Sequence, residues 1–562
     1  MKSVKLLKEV LSYFFKIEKW LSFNITIFSI RKAGESMSYI KQLSLRGFKK
    51  FETLDIVFDK DVNIIVGENE SGKSTILEAI NIVLNQQYKN LDKYIVKDLI
   101  NSNQIVCFKN DPTVDKLPQV AIELRFEFAT CREPYIYYGE HNLCGSGNDD
   151  YGILFECKFD GEAYEDLLRT EIESGEIPYE YYIMTWTTFQ GTSYKVMKKP
   201  LSSILIDTSI TDTSNSFNYF NRALFNAKYT DAERMSAKNK FRHDIEAAFK
   251  NIGLEQIDET RNFGTNSKKL IFESVISVFD EGIPLENKGS GMENLIKTQI
   301  ALDKRKSNLD VVMIEEPENH LCHANLMKML AEIEKKISTA QLIITTHSNM
   351  IASRLNLNNV IWICEESAMR LNSVDGKVAE FFVKADDNNF LQLLLSKKAI
   401  LVEGATEYLL LPWIYLKVTG RNIEEDGISV ISCNGISYKN YLEIALKTEK
   451  KVAVITDNDK KSKNIDEMND FNQTHQKQQI FMDLAVENWT WEACLYNLNK
   501  PLFDEKIKVQ NGAEYKFHDV DYGKVLGKML NNKVETAYQI LTKKYTIEVP
   551  EYVKDALKWV NK

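Results

Sequence analysis

Gly67-Glu-Asn-Glu-Ser-Gly72-Lys73-Ser74-Thr75 fits the pattern G-x-x-x-x-G-K-[ST] at every position, and its chemistry is the cradling of a nucleotide triphosphate. Its two glycines let the backbone curl until its N–H groups face phosphate oxygens, and a helix N-terminus just behind adds positive potential. Lys73 is placed to reach the β- and γ-phosphates, and the Ser74 hydroxyl to ligate Mg²⁺. Gly67, Asn69, Gly72 and Thr75 complete the candidate nucleotide contacts. Far downstream, Leu401-Val402-Glu403-Gly404 and Thr456-Asp457-Asn458-Asp459 present acids directly after apolar runs. Hard oxygen donors of this kind suit Mg²⁺, and metal ions so held can break a phosphodiester.

The elements that must position these residues follow from the flanking sequence. Val62-Asn-Ile-Ile-Val66 reads as a strand and Ile76-Leu-Glu-Ala-Ile80 has helical spacing, which is the strand–loop–helix context that the phosphate loop requires. Val311-Val-Met-Ile314 is a buried-strand run ending in Glu315-Glu316, with Pro317 behind it. Glu315 stands where a Walker B acid holds Mg²⁺, in place of the usual Asp, and Glu316 where an ABC-type ATPase keeps its water-activating base. Lys288-Gly-Ser-Gly-Met292 resembles a degenerate ABC signature loop, whose Ser290 and Gly291 would touch the γ-phosphate of a second subunit's ATP. Gln341-Leu-Ile-Ile-Thr-Thr-His347 is a strand ending at the switch-histidine position. Alone, Gly-Ser-Gly is a flexible turn and a single His is usually structural. Their order and spacing match four parts of one machine.

The second half is legible in the same way. Ala399-Ile-Leu-Val402 suits a parallel strand buried on both faces, and it delivers Glu403 to the carboxyl end of a sheet, where open α/β folds place their sites. Glu407 follows one helical turn later and faces the same way. Val452-Ala-Val-Ile455 is the matching strand; Asp457 and Asp459 follow it as alternate residues able to converge on one ion. By itself Asp-Asn-Asp is a solvated turn, and the paired strand geometry with Glu-Gly-x-x-Glu favours the metal.

Tyr39-Ile-Lys-Gln-Leu-Ser-Leu-Arg-Gly-Phe-Lys-Lys-Phe51, the phosphate loop, Ile314-Glu-Glu-Pro-Glu-Asn-His-Leu321 and Thr346-His347-Ser348 resemble the ATPase heads of SMC- and RecF-like proteins. The subgroup is similar to the OLD (overcoming lysogenization defect) family, in which such a head is fused to a Toprim nuclease domain, and within it to the Gabija-type anti-phage nucleases. The resemblance covers nearly all of residues 38–562. It implies an α/β fold in which an ABC-type head with an inserted dimerisation region precedes a C-terminal Toprim domain built on a parallel sheet. It also implies an ATP-binding, Mg²⁺-dependent endonuclease (Mn²⁺ and Ca²⁺ being alternatives) acting on double-stranded DNA in antiviral defence, beside a UvrD-like helicase. Thr490-Trp491-Glu492 looks like the family's third acidic motif, making Glu492 a ligand for a second metal; the Asp often found two residues later is Cys494 here. Lys533, in Asn-Asn-Lys-Val-Glu-Thr-Ala537, resembles the late catalytic lysine. With Glu403, Glu407, Asp457, Asp459 and the head's Glu316, these are the candidate catalytic residues.

The expected organisation is an extension at 1–36, the first part of the head at 37–130, an insertion at 131–287, the second part of the head at 288–395 and Toprim at 396–562. The insertion holds a strand-like piece (Gly152 to Phe159) and a charged helical stretch (Asp231 to Phe249). Glu380 to Ser396 reads as the link between head and Toprim. In the extension, the apolar stretch from Lys5 to Ile30 is broken by Lys8, Glu9, Lys16, Glu18 and Lys19, so it is neither a signal peptide nor a membrane span. The first head strand follows Met37 at once, the pattern expected of a start placed too early.

Across its 562 residues the chain is 44% hydrophobic with a net charge of −9; it can fill packed cores but is not a basic nucleic-acid binder as a whole. DNA contacts must then be confined to strips such as Lys460-Lys-Ser-Lys463. Eight scattered cysteines without C-x-x-C point to reduced thiols in the cytoplasm. His320-Leu-Cys322-His323 lacks the partner cysteines that zinc needs, and no apolar run reaches bilayer length. Signature loops act in trans, so a homo-oligomer, dimer or tetramer, is expected. The competing reading is an SMC/RecF-like DNA repair ATPase whose Toprim fold only binds DNA. A topoisomerase is disfavoured because no DNA-gate domain carrying a nucleophilic tyrosine is evident.

Overall fold

The computed structural model describes residues 37–562 apart from 89–92, 94, 130–134, 146, 162–174, 196–198, 208–212, 253–262, 264–271, 273–274, 304–308, 337–339, 356, 365–366, 372–388, 434–437 and 510–514. The 1–36 extension lies outside the described residues, as does most of the expected link from Glu380 onward.

Two sheets build the head. The first is antiparallel, in the order β2 (Phe51–Val57), β1 (Tyr39–Phe48), β4 (Val120–Glu127), β6 (Asp150–Phe159) and β5 (Tyr138–Gly139), with β7 (Tyr182–Thr188) also on β6. The second runs β14 (Ser367–Arg370), β13 (Val360–Cys364), β3 (Val62–Gly67), β12 (Gln341–Thr345), β11 (Val311–Glu315) and β8 (Ser203–Asp207), parallel throughout except for β14. Every residue of β3, β11 and β12 is buried, as near-continuous Val/Ile/Leu runs in parallel strands demand. The helix Lys73–Asn85 lies between the sheets and buries Ile76, Leu77, Ile80 and Val83 in their shared core. At the start of β12 the buried Gln341 amide joins the two sheets: it accepts from Ile40 N at 2.9 Å and donates to the carbonyls of Ile40 and Asp59, each at 2.9 Å.

Asp150–Phe159, Tyr182–Thr188 and Ser203–Asp207, in the stretch expected as the insertion, form β6, β7 and β8 of these two sheets. Their apolar faces pair with and pack against strands on either side of them in sequence. Beyond them come the helices Thr213–Lys228 and Asp231–Asn251, the latter started by a Thr230/Glu233 capping box. The short pair β9 (Phe279–Asp280) and β10 (Ile283–Pro284) then leads to the helix Ser290–Ala301.

The second unit is a four-stranded parallel sheet in the order β16 (Ile428–Ser432), β15 (Lys398–Val402), β17 (Lys451–Ile455) and β18 (Gln478–Phe481). The C-terminal helix Glu551–Asn561 packs on one face. The other face shares a continuous core with the head through Phe390, Leu391, Leu393 and Leu394. The end of the expected link is therefore a buried helix, Phe390–Leu395, wedged between the two sheets. Among the described residues no helix is long and apolar enough to cross a membrane.

Candidate active site

The phosphate loop and its partners line a cleft of about 340 Å³ formed by Lys50, Asn69, Glu70, Gly72, Lys73, Ser74, Thr75, Glu316 and His347. Parallel pairing sets it up, since β3, β12 and β11 lie side by side and end at Gly67, Thr345 and Glu315. Gly72 has φ 96°, and a Cβ there would sit 2.4 Å from the Phe51 ring, so only glycine fits this turn. The Lys73 ammonium donates to the Gly67 and Glu68 carbonyls at 3.1 and 2.9 Å, curling the loop around itself. Burial holds this ammonium below its ordinary range, and Glu316, Glu315 and Glu318 pull against that.

Glu315 hydrogen-bonds to Ser74, and burial raises its carboxyl despite that bond, with Asp207 and Glu316 adding to the rise. Glu316 has a left-handed φ of 42°. That turn brings its Oε1 to 3.2 Å from His347 Nε2, while Asn319 donates to its Oε2 at 2.9 Å. Burial and the Lys73 charge both lower the His347 pKa. Two residues escaped the sequence reading. Glu318 Oε1 accepts from Thr346 Oγ1 at 2.6 Å and from His347 N at 2.8 Å, fixing the switch segment. Asp207 stands opposite Glu315 in register. A third strand-end acid in the Glu-Glu-Pro-Glu run was the available signal for the first; for Asp207 there was none. Ser290 and Gly291 do not line this cleft; they begin a helix whose Gly291 packs on the His320 carbonyl.

At the carboxyl ends of β15 and β17 a second cluster forms. Glu403 Oε1 accepts from Thr456 Oγ1 and, at 3.1 Å, from Asp457 N. Asp457 Oδ1 accepts from Trp491 N at 2.9 Å. Glu492, 3% exposed, accepts from Thr490 Oγ1 at 2.8 Å and lies 2.9 Å from Lys533 Nζ. Glu407 folds back over Gly404, its Oε2 only 3.4 Å from where a Cβ on that glycine would be. Burial, then the charges of Glu492 and Glu403, push Glu407 up to about 7. Asp457 is raised well above the usual carboxylate range by burial and by Glu403, Glu407 and Glu492. Burial would lower Lys533, but the Glu492 charge outweighs it and the ammonium is raised.

Four acids and a lysine drawn from four separate segments thus share one region, in which Glu407 and Glu492 are buried and the others partly so. Asp459 does not join them. With φ 55° it turns outward, its side chain 61% exposed and 3.9 Å from Lys461. Cys494 is buried with its thiol donating to Asn488 O at 3.3 Å, and burial raises its pKa, so it does not replace the missing Asp as a charged ligand. Among the described residues no three His, Cys, Asp or Glu side chains already stand together as a metal cage: Glu403 and Glu492 are turned to threonines and to Lys533.

Residues 394–459 match the TOPRIM domain of overcoming-lysogenization-defect-like proteins, a stretch that holds Glu403, Glu407 and Asp457. Residues 42–350 match the AAA_23 AAA domain, from β1 through the switch segment. Among similar proteins, the Old nuclease of Escherichia phage P2 is 28% identical over 145 residues, 24% of this chain and 24% of that protein. The DNA replication and repair protein RecF of Clostridium kluyveri is 52% identical over 42 residues, 8% of this chain and 12% of its own length. The matches thus span a quarter or less of these relatives. The SMC head domain from Thermotoga maritima aligns over 59% of this chain and 98% of its own, at 16% identity and a TM-score of 0.28. The chain belongs to the AAA_23 family of AAA domains, and it carries an OLD-like TOPRIM domain behind that head.

Proposed function

We propose that the chain is an ATP-binding, Mg²⁺-dependent endonuclease acting on double-stranded DNA, with the TOPRIM cluster as the cutting centre and the nucleotide state of the head as its regulator. The observation that carries this reading is the gathering of Glu403, Glu407, Asp457 and Glu492, of which Glu407 and Glu492 are buried, with Lys533 as its ammonium. Burial first, and then the charges of the neighbouring acids, raise the pKa values of Glu407 and Asp457, and a divalent cation would offset that repulsion. The donor set is all carboxylate oxygen, suited to Mg²⁺, with Mn²⁺ or Ca²⁺ as alternatives. A cation held there would supply polarisation of the phosphodiester and a lowered pKa for an attacking water. To face it, Glu403 would leave Thr456 Oγ1 and Asp457 N, and Glu492 would leave Thr490 Oγ1 and Lys533. Lys533, released from Glu492, holds an ammonium where charge develops on the cleaved phosphate. Asp459, whose side chain is turned to solvent outside the cluster, is kept as a proposed further ligand.

In the head, Lys73, Ser74 and Glu315 are suited to ATP and its Mg²⁺, and Glu316, held by Asn319 and His347, to activating water. Ser290 and Gly291 lie outside their own cleft, which supports their use in trans and hence a homo-oligomer. The family resemblance supports a role in anti-phage defence with a UvrD-like helicase. Incubating the protein with supercoiled plasmid and Mg²⁺ tests the reading. Nicked or linear DNA, abolished by EDTA, is expected; fully relaxed closed circles or bound but intact plasmid would favour the topoisomerase or the DNA-tethering ATPase.

A further inference from the structure

Beside the acid cluster stands a group of rings that the cutting chemistry does not use. Trp489 lies 5.4 Å from Tyr522 and 6.0 Å from Phe517, centre to centre. All three are half-buried, each keeping part of its surface open to solvent. The Lys460 ammonium sits 4.4 Å over the Trp489 ring and 4.8 Å over Tyr522, and donates to the Tyr522 hydroxyl at 2.6 Å. Phe517 belongs to an exposed hairpin, β19 (Lys516–Phe517) and β20 (Val520–Asp521), whose turn residues His518 and Asp519 both have positive φ.

This group is tied to the cluster from both sides. Lys460 follows Asp457 by three positions and Trp489 precedes Glu492 by three. The two segments are zipped together, Asp459 N donating to Trp489 O at 3.3 Å and Trp491 N to Asp457 Oδ1 at 2.9 Å. Buried Asn458 clamps the intervening loop, its amide donating to the carbonyls of Asp483 and Ala485, each at 3.0 Å. Lys460 and Trp489 are therefore held on the same two segments as Asp457 and Glu492, so that the rings border the cluster on this side.

We propose that Trp489, Tyr522 and Phe517 form a stacking platform for an unpaired base flanking the cut phosphate, so that the enzyme favours DNA with single-stranded character at the site. The proposal rests on the nuclease reading of the TOPRIM cluster. Partly exposed aromatic rings next to a lysine are what sequence-tolerant binding of single strands requires. A backbone phosphate offers Lys460 a full ion pair in exchange for the ring faces, which frees those faces for the base. The flanking Lys461, Lys516 and Lys524 add positive charge against Asp519 and Asp521.

The test uses the full chain with Ca²⁺ as the ion, and compares binding of a single strand, a gapped duplex and a fully paired duplex. Trp489→Ala and Phe517→Ala are each expected to weaken the first two about tenfold and the paired duplex by no more than about twofold, while Trp489→Phe stays near wild type. Phe517 lies on the exposed hairpin, so its variant answers the question even if Trp489→Ala misfolds. Equal losses on all three DNAs, or none, overturn the platform while leaving the nuclease reading intact. A wild type that neither binds nor cuts any of them overturns both.

Discussion

The Lys450 ammonium lies 4.9 Å from the centre of the Trp362 ring, a contact that joins the TOPRIM sheet to the head. Trp362 pairs with Val66 in the parallel register of β13 and β3, just before the phosphate loop. Burial draws the Lys450 ammonium below its ordinary range, and the charges of Cys364 and of Glu68, a loop residue, oppose that. The next residue begins β17, whose far end delivers Asp457. A continuous packed path thus runs from the nucleotide loop to the acid cluster. Lys450→Ala is expected to keep ATP binding and nucleotide-free cleavage near wild type while shrinking the effect of ATP on cleavage about 2- to 30-fold, the range for mutations along a coupling path. An ATP titration in a plasmid-nicking assay checks this; an unchanged response would place the coupling elsewhere.

Lys73→Ala removes a charge-assisted phosphate contact, for which about 1.5–3 kcal/mol is typical. Nucleotide binding by calorimetry is expected to weaken roughly 10- to 150-fold. A nuclease standing free in an uninfected cell needs a brake, so we expect ATP to restrain cutting and the variant to cut faster than wild type when ATP is present. Equal rates without nucleotide are part of the same expectation. Slower cutting by the variant in ATP would reverse the sign assigned to regulation.

Lys533 is the cation closest to Glu492 in the acid cluster, at 2.9 Å. Lys533→Ala leaves that acid buried without its charge partner and removes the ammonium from the reacting phosphate. Cleavage is expected to fall about 10²- to 10³-fold, the scale for losing one stabilising donor, with ATP affinity unchanged. Activity within a few fold of wild type would make Lys533 a structural partner of Glu492 and nothing more.

The head's first strand starts at Tyr39, and Ser38 Oγ already accepts from Ala129 N at 3.0 Å. A protein beginning at Met37 is therefore expected to fold, bind ATP and cut DNA as the full chain does. Thermal unfolding and plasmid nicking measured side by side check it, and loss of either would show that residues 1–36 contribute.

What could be read in advance was what is local. Lys73, Glu315, Glu316 and His347 each end an apolar run or open a helix, so short windows showed both the element and the chemistry; Lys73, Glu316 and His347 line one cleft, with Glu315 bonded to its Ser74. The strands β6 to β8 carry no motif: Gly152 to Phe159 reads as strand-like, but its place beside β4 was not legible, and β8 finds its partner β11 only far off in sequence. Asp207 reaches Glu315 only because β8 pairs parallel with β11. Asp459 looked equivalent to Asp457 on the assumption of an extended chain. After Ile455 the strand ends, and a left-handed turn at Asp459 sends that side chain to solvent. The hydroxyls of Thr456 and Thr490, which hold Glu403 and Glu492, were invisible for the same reason: they act through turns, which periodicity does not report.

The central claim is that the cutting centre is the TOPRIM acid cluster and not the head. Glu403→Ala and Asp457→Ala each remove a carboxylate remote from the nucleotide cleft, and losing one metal-holding oxygen donor should cost several kcal/mol of transition-state stabilisation, about 10³-fold or more in rate. Measured together, plasmid cleavage with Mg²⁺ should be abolished in both variants while ATP affinity equals that of wild type. Cleavage near the wild-type rate in both, with ATP affinity intact, would contradict the account.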